Sequence, residues 1–291
     1  MHYLILLFGA LMCSLQFTVT KRYEKHAGQS FRAAMLFTLI SAAFGAALMF
    51  TLNRFRLDFT PFSCVMAVFM ALGIMLVNVL GMKTMHLGPL SVYTLFMMLG
   101  GMFLPFVMGV LFLDERLNVF KVAGAALIVL ALIIPAIGPK GGGKKGSALF
   151  YLLCVLLFFI NGSYSCVSKL HQIGENAVNT YSLMLMIYLF EIAAAAVSLL
   201  VTMKKGRGEP LKKDGGSVLY SAGFALFSGV CGLCVISSAK SVSASVMFPI
   251  VTGGTIIFSA LCGRIMFKEK LSKPVVIEVA LAVAATVMFM F

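Results

Sequence analysis

Apolar runs of roughly twenty residues alternate with short polar breaks along the whole chain, at about 3–20, 31–51, 60–82, 89–112, 118–137, 148–168, 179–203, 217–239, 243–266 and 273–291. A hydrocarbon core about 30 Å thick takes about 20 residues of helix to cross, so the pattern predicts ten spanning helices. Thr60 before Pro61, and Ser272 shortly before Pro274, put a capping hydroxyl and a proline where helix starts accept them. Two breaks are longer, 138-GPKGGGKKGS-147 and 204-KKGRGEPLKKDGG-216, and their glycines and lysines read as surface loops. The first run has no basic segment before it and no small-residue cleavage site before Lys21, so it is expected to stay as a first span.

Composition turns this pattern into a statement about solvent. The chain has 291 residues, 61% hydrophobic and 11% charged, where soluble domains are about 45–50% apolar and about 25% charged. The natural solvent is therefore a lipid bilayer. The net charge of +13 invites a nucleic-acid reading. The cations, however, gather in short clusters between apolar runs, as in 21-KRYEK-25, 204-KKGR-207 and 268-KEK-270, which is the pattern of membrane-flanking loops. No nucleic-acid partner is expected. Lys and Arg are concentrated in the odd-numbered loops, so the positive-inside rule puts those loops in the cytoplasm and both termini outside it, with the cell membrane as the expected location. Seven cysteines all fall inside apolar runs. Cys231 and Cys234 have redox spacing, but among small apolar neighbours they read as packing residues.

An internal repeat organises the chain. Shifting by 154 lays residues 88–137 over 242–291 without a gap, with eleven of fifty positions identical. Ser91 meets Ser245, Gly100 meets Gly254, Gly109 meets Gly263 and Glu115 meets Glu269. Identity in apolar sequence is weak support, but the aligned turns 113-LDERLN-118 and 267-FKEKLS-272 are harder to reach by chance. The expectation is an all-α membrane protein of ten transmembrane helices: a first five-helix repeat over 1–137, a linker loop at 138–147 and a second repeat over 148–291. Five is odd, so the second repeat enters the membrane from the opposite side, as inverted repeats of secondary transporters do.

Ten spans in two halves, each with an acidic E-[RK]-L turn between its fourth and fifth helices, resemble the drug/metabolite transporter superfamily, in its EamA-type branch. The segment from Gly88 to Ala131, with Pro105 and Gly124, carries most of the likeness. The second copy departs from it, with Pro249 earlier and Glu278 in place of Gly124. The resemblance implies a central cavity lined mainly by helices 1, 3, 4, 6, 8 and 9, with helices 5 and 10 peripheral. It names no substrate.

Few residues can carry chemistry. Glu191 lies near the middle of its span, where a charged side chain costs roughly 2.5–3.5 kcal/mol on insertion scales and should face protein or water. Two readings stand: a proton-coupling group, or a protonated carboxyl bonded to a neighbouring helix across Ala193–Ala196. Asn78, Tyr93, Asn161, Tyr164, Ser228, Ser245 and Thr252 are the substrate-binding candidates, each also able to serve as a helix-to-helix contact. Pro105, Pro249, Gly100 and Gly254 are hinge candidates, with close helix packing as the alternative. Glu115 and Glu269 read as structural, accepting from the free N–H groups of the helix after each turn. No catalytic constellation, nucleotide loop, metal site or cofactor site can be assembled.

The function expected is a secondary transporter moving a small organic metabolite, such as an amino acid, sugar-like compound or drug, by alternating access with proton coupling through Glu191 as an option. The partners are the bilayer and that solute; oligomeric state is left open. The rival is a non-transporting membrane protein, either a lipid-modifying enzyme or a membrane partner. An enzyme is not expected, because acids and histidines are not clustered at one depth.

Overall fold

A computed structural model describes residues 2–112, 118–137, 147–204, 214–239, 244–269, 273–289 and 291, with backbone alone for 134–137, 172, 235–237, 239, 244–249, 274 and 278. The elements are α1 (His2–Ala27), α2 (Phe31–Leu52), α3 (Pro61–Leu87), α4 (Leu90–Phe112), α5 (Val119–Ile137), α6 (Ala148–Ile173), α7 (Thr180–Lys204), α8 (Gly215–Ala239), α9 (Ala244–Phe267) and α10 (Lys273–Met288). No strand occurs among the described residues. Eight helices, α1 to α4 and α6 to α9, are long and apolar enough to cross a membrane, while α5 and α10 are apolar but shorter over the described residues. Large apolar side chains such as Leu4, Phe69, Phe112 and Leu219 stand exposed on the flanks, as a lipid-facing surface requires.

Helix starts follow local chemistry. Ser30, Thr60 and Ser147 are extended and accept from the backbone N–H groups of Ala33, Ser63 and Phe150, supplying the capping bonds that a helix cannot make for itself. Ends differ from expectation in one respect. The cluster 21-KRYEK-25, read as loop, belongs to α1, which continues to Ala27 and stops only at Gly28 with φ 86°. Charge does not end a helix; a residue that adopts the left-handed region does. For the same reason α3 carries Lys83 and α6 carries Lys169 beyond the predicted span ends.

Packing follows a rule of exchange. α1 packs on α8 and α9, while α6 packs on α3 and α4; α2 packs on α7, α5 on α10 and α4 on α9; α2 meets α8 as α7 meets α3. Replacing each helix by the one five places along exchanges α1·α8 with α6·α3, α1·α9 with α6·α4 and α2·α8 with α7·α3, and returns the other three pairs to themselves, while α2·α3 and α1·α3 have no such counterpart among the described residues. The directions agree as well. α1 runs parallel to α9, with Ala10 by Gly254 and Lys21 by Glu269, and α6 runs parallel to α4, with Phe150 by Gly88 and Gly162 by Leu104. α4 opposes α9, because the Leu90 N–H that opens α4 donates to Glu269, just past the end of α9. α1 and α6 are therefore antiparallel.

Small residues hold the crossings together. A Cβ on Gly100 would lie 2.3 Å from the Phe158 carbonyl oxygen, one on Gly162 would lie 2.8 Å from the Gly100 oxygen, and one on Gly254 would lie 2.8 Å from the Ala10 Cβ. Without a water-driven force between helices in lipid, backbone proximity of this kind supplies the association. Gly9 meets Cys234 in the same way, with a Cβ clearance of 2.9 Å, and Cys231 is buried beside Met12 and Phe17.

Candidate functional site

Between α1, α2, α3, α4, α6, α7 and α8 lies a cavity of about 230 Å³. α7 presents Met184, Ile187, Tyr188 and Glu191 to it, spacings that fall on one helical face. That face can approach because α2 offers Ser41 to the cavity and Gly45 to the Tyr188 ring, where a Cβ would sit 2.7 Å from the ring. Across from it, Phe17 of α1 and Tyr93 of α4 meet edge-on, with ring centroids 5.8 Å apart.

Glu191 is 2% exposed, and its Oε1 makes no hydrogen bond. Tyr164 and Tyr188 lie within electrostatic reach of the carboxyl. A buried, unbonded carboxyl oxygen in a membrane helix is costly to keep. It stands on the cavity wall without the neighbouring-helix bond that one sequence reading gave it. The two cavity asparagines are anchored. Asn78 donates to the Thr38 hydroxyl at 2.8 Å, and that hydroxyl in turn donates to the Ala34 carbonyl. Asn161 donates to the Met97 carbonyl at 2.7 Å.

The two ends of the bundle carry different polar clusters. At one end Lys21 donates to Glu269 Oε1 and to the Gly88 carbonyl at 3.3 Å. Glu269 also accepts the Leu90 N–H at 3.0 and 3.1 Å, and His86 meets Glu24 at 2.7 Å. Lys21 and Lys25 lie over the Phe267 ring, 5.0 and 4.6 Å from its centroid. At the same end His26 meets Asp214 at 2.8 Å. At the other end the Ser63 hydroxyl pairs with His171 at 2.9 Å and accepts the Val178 N–H at 3.1 Å. The Phe62 ring is stacked on His171 with centroids 5.9 Å apart, while Thr60 donates to the Asn176 carbonyl.

Of the residues singled out in the sequence, the cavity gathers Asn78, Tyr93, Asn161, Tyr164, Ser228 and Glu191. Thr252 does not line it. Ser245 and Pro249 lie on the α9 backbone but outside the residues whose side chains are described, and Glu115 lies outside the described residues altogether. The lining differs from the helix set the resemblance implied: α2 and α7 contribute, and α9 supplies no described lining residue. Glu269 caps α4, and among the described residues it accepts no bond from the following α10. Lys268 takes φ 56° and turns the chain so that the Glu269 N–H returns to the Gly263 carbonyl at 3.1 Å. Gly100 and Gly254 are sites of close packing, while Pro105 sits within an unbroken α4. Sequence reasoning missed Gln16, Thr20, Ser41 and Tyr188 on the cavity wall. For Tyr188 the signal was present, since it stands three residues before Glu191 on the same face.

Fold and site together define a multi-pass, all-helical membrane protein with a partly polar central cavity. No protein-family model matches the chain, and no curated protein matches it. One solved structure, described only as "Crystal structure of protein", is similar over 99% of this chain and 95% of its own, with a TM-score of 0.61 and 19% identity. At that identity the likeness is one of fold.

Proposed function

We propose that the protein is a secondary carrier of a small organic solute, working by alternating access between two inverted five-helix halves, with ten membrane crossings. The observation that carries this reading is the cavity itself. It is built from helices of both halves, has a different polar cluster toward each end of the bundle, and is faced by a carboxyl whose Oε1 makes no hydrogen bond. The exchange rule of helix packing and the antiparallel α1 and α6 support the inverted arrangement, which gives two related ways of opening one site. The resemblance to EamA-type drug/metabolite transporters fits the same picture. In this reading the Lys21–Glu269 end faces the cytoplasm, both termini lie outside it, the cell membrane is the location, and Glu191 exchanges a proton against the solute.

The test is transport by the purified protein in liposomes. Screening solute classes by counterflow should reveal saturable exchange of at least one class. An imposed proton gradient should then drive accumulation. Glu191→Gln is expected to abolish the proton-driven component while leaving the protein folded. Proton-driven uptake at wild-type rate in that variant removes the coupling role, and the absence of exchange for every class removes the carrier.

A further inference from the structure

The cavity is one-sided in charge. Its described lining contains one carboxyl, that of Glu191, and no Lys, Arg or His. Both asparagine nitrogens are committed to protein oxygens. A backbone carbonyl can only accept, so the Asn161 bond to Met97 fixes which branch of that amide is nitrogen. The Thr38 hydroxyl already donates to Ala34, so it must accept from Asn78. Each amide thus keeps an uncommitted carbonyl oxygen beside its second N–H, and Glu191 Oε1 is unpaired. Rings complete the wall: Tyr164 and Tyr188 near the carboxyl, and Phe17, Tyr93 and Phe224 beyond. Aromatic faces attract cations, most strongly where water is excluded.

We propose that the solute is a small monovalent organic cation, an amine or ammonium compound with an apolar body, whose positive centre sits against Glu191 between Tyr164 and Tyr188. This rests on the carrier reading above for its biological meaning, but the binding site can be tested without it. A carboxylate on the solute finds no cation in the described lining and meets acceptor oxygens, so zwitterions and anions are disfavoured, since desolvating an unpaired charge is costly. The volume of about 230 Å³ lies below the roughly 300–1,000 Å³ of sites for drug-sized ligands, so the cation is small.

The experiment holds the aromatic body constant and varies charge. Phenethylamine, phenylalanine and phenylacetate present one ring with a cation, a zwitterion and an anion. Binding to the purified full-length protein is read by thermal shift, and exchange is read by counterflow in liposomes. Phenethylamine should stabilise the protein and exchange. Glu191→Gln should weaken its binding about tenfold or more, as expected for loss of a charge-assisted contact, while Glu191→Asp retains part of it. Phenylalanine and phenylacetate should neither stabilise nor compete. Binding of either as tight as that of the amine, undiminished amine binding by a folded Glu191→Gln protein, or no amine binding at all overturns the proposal. The two readings fail separately. Exchange of the zwitterion or anion without the amine removes the cation site and keeps the carrier. Glu191-dependent amine binding with no exchange of any solute keeps the site and removes the carrier.

Discussion

Glycines in this chain fall into two physical classes, and substitution distinguishes them. Gly100 lies against the Phe158 backbone, where an added methyl has a 2.3 Å clearance and no flexible neighbour to displace. Gly100→Ala should destabilise the protein by about 1–3 kcal/mol, the usual cost of overpacking, seen as a lowered melting temperature in detergent. Gly232 has nothing within 4 Å of an added Cβ, so Gly232→Ala should leave melting unchanged or raise it slightly, because alanine favours helix. Equal effects at both sites contradict the close α4–α6 crossing. Asn161 and Asn78 act at the same scale, since each spends an N–H on holding a neighbouring helix and keeps its carbonyl oxygen uncommitted.

Among elements, the α9–α10 turn has a role beyond its own connection. Glu269 neutralises Lys21, whose side chain is 7% exposed, and caps α4. Glu269→Ala removes both functions and leaves a buried cation unpaired, a change that costs about 3–5 kcal/mol when such pairs are broken. Glu269→Gln keeps an acceptor for the Leu90 N–H and should lose less. Equal melting temperatures for the two variants mean that the cap contributes nothing. The start of α8 gives a pH prediction. The bond to His26, then the N–H and hydroxyl of Ser217, hold the Asp214 carboxyl well below the usual carboxylate range. A depressed carboxylate contributes stability above its unfolded value of about 3.9 and loses it only as pH falls further. The stability difference between wild type and Asp214→Asn should therefore shrink as pH falls below about 4.

At the scale of the whole molecule, the proposed inverted arrangement makes a prediction about sidedness. α10 begins shortly after Glu269 and its far end, Phe291, accepts a bond from Asn118 at the start of α5. Asn118 and Glu269 therefore lie toward opposite ends of α10. Single cysteines placed at Asn118 and Lys268 in a background without native cysteines should react with an impermeant thiol reagent from opposite sides of a sealed vesicle. Labelling of both from one side would dismantle the two-half architecture. The polar clusters also differ between ends. One is built on an ion pair and the other on Ser63, His171 and Thr60, so opening either end breaks different chemistry.

The sequence by itself pointed to lipid as solvent, to an all-helical fold and to nearly all helix starts. Those follow from composition and from the capping chemistry of single residues, both of which are local properties. It also pointed to Glu191 and to five of the uncharged cavity residues, because a polar side chain in an apolar run must find protein or water. What it could not supply was partnership. That Glu269 caps α4, that α7 reaches the cavity because Gly45 yields to Tyr188, and that both asparagines bond to neighbouring helices are matters of which helices touch. Contact between helices distant in sequence is set by the summed fit of whole surfaces, and no single position records it.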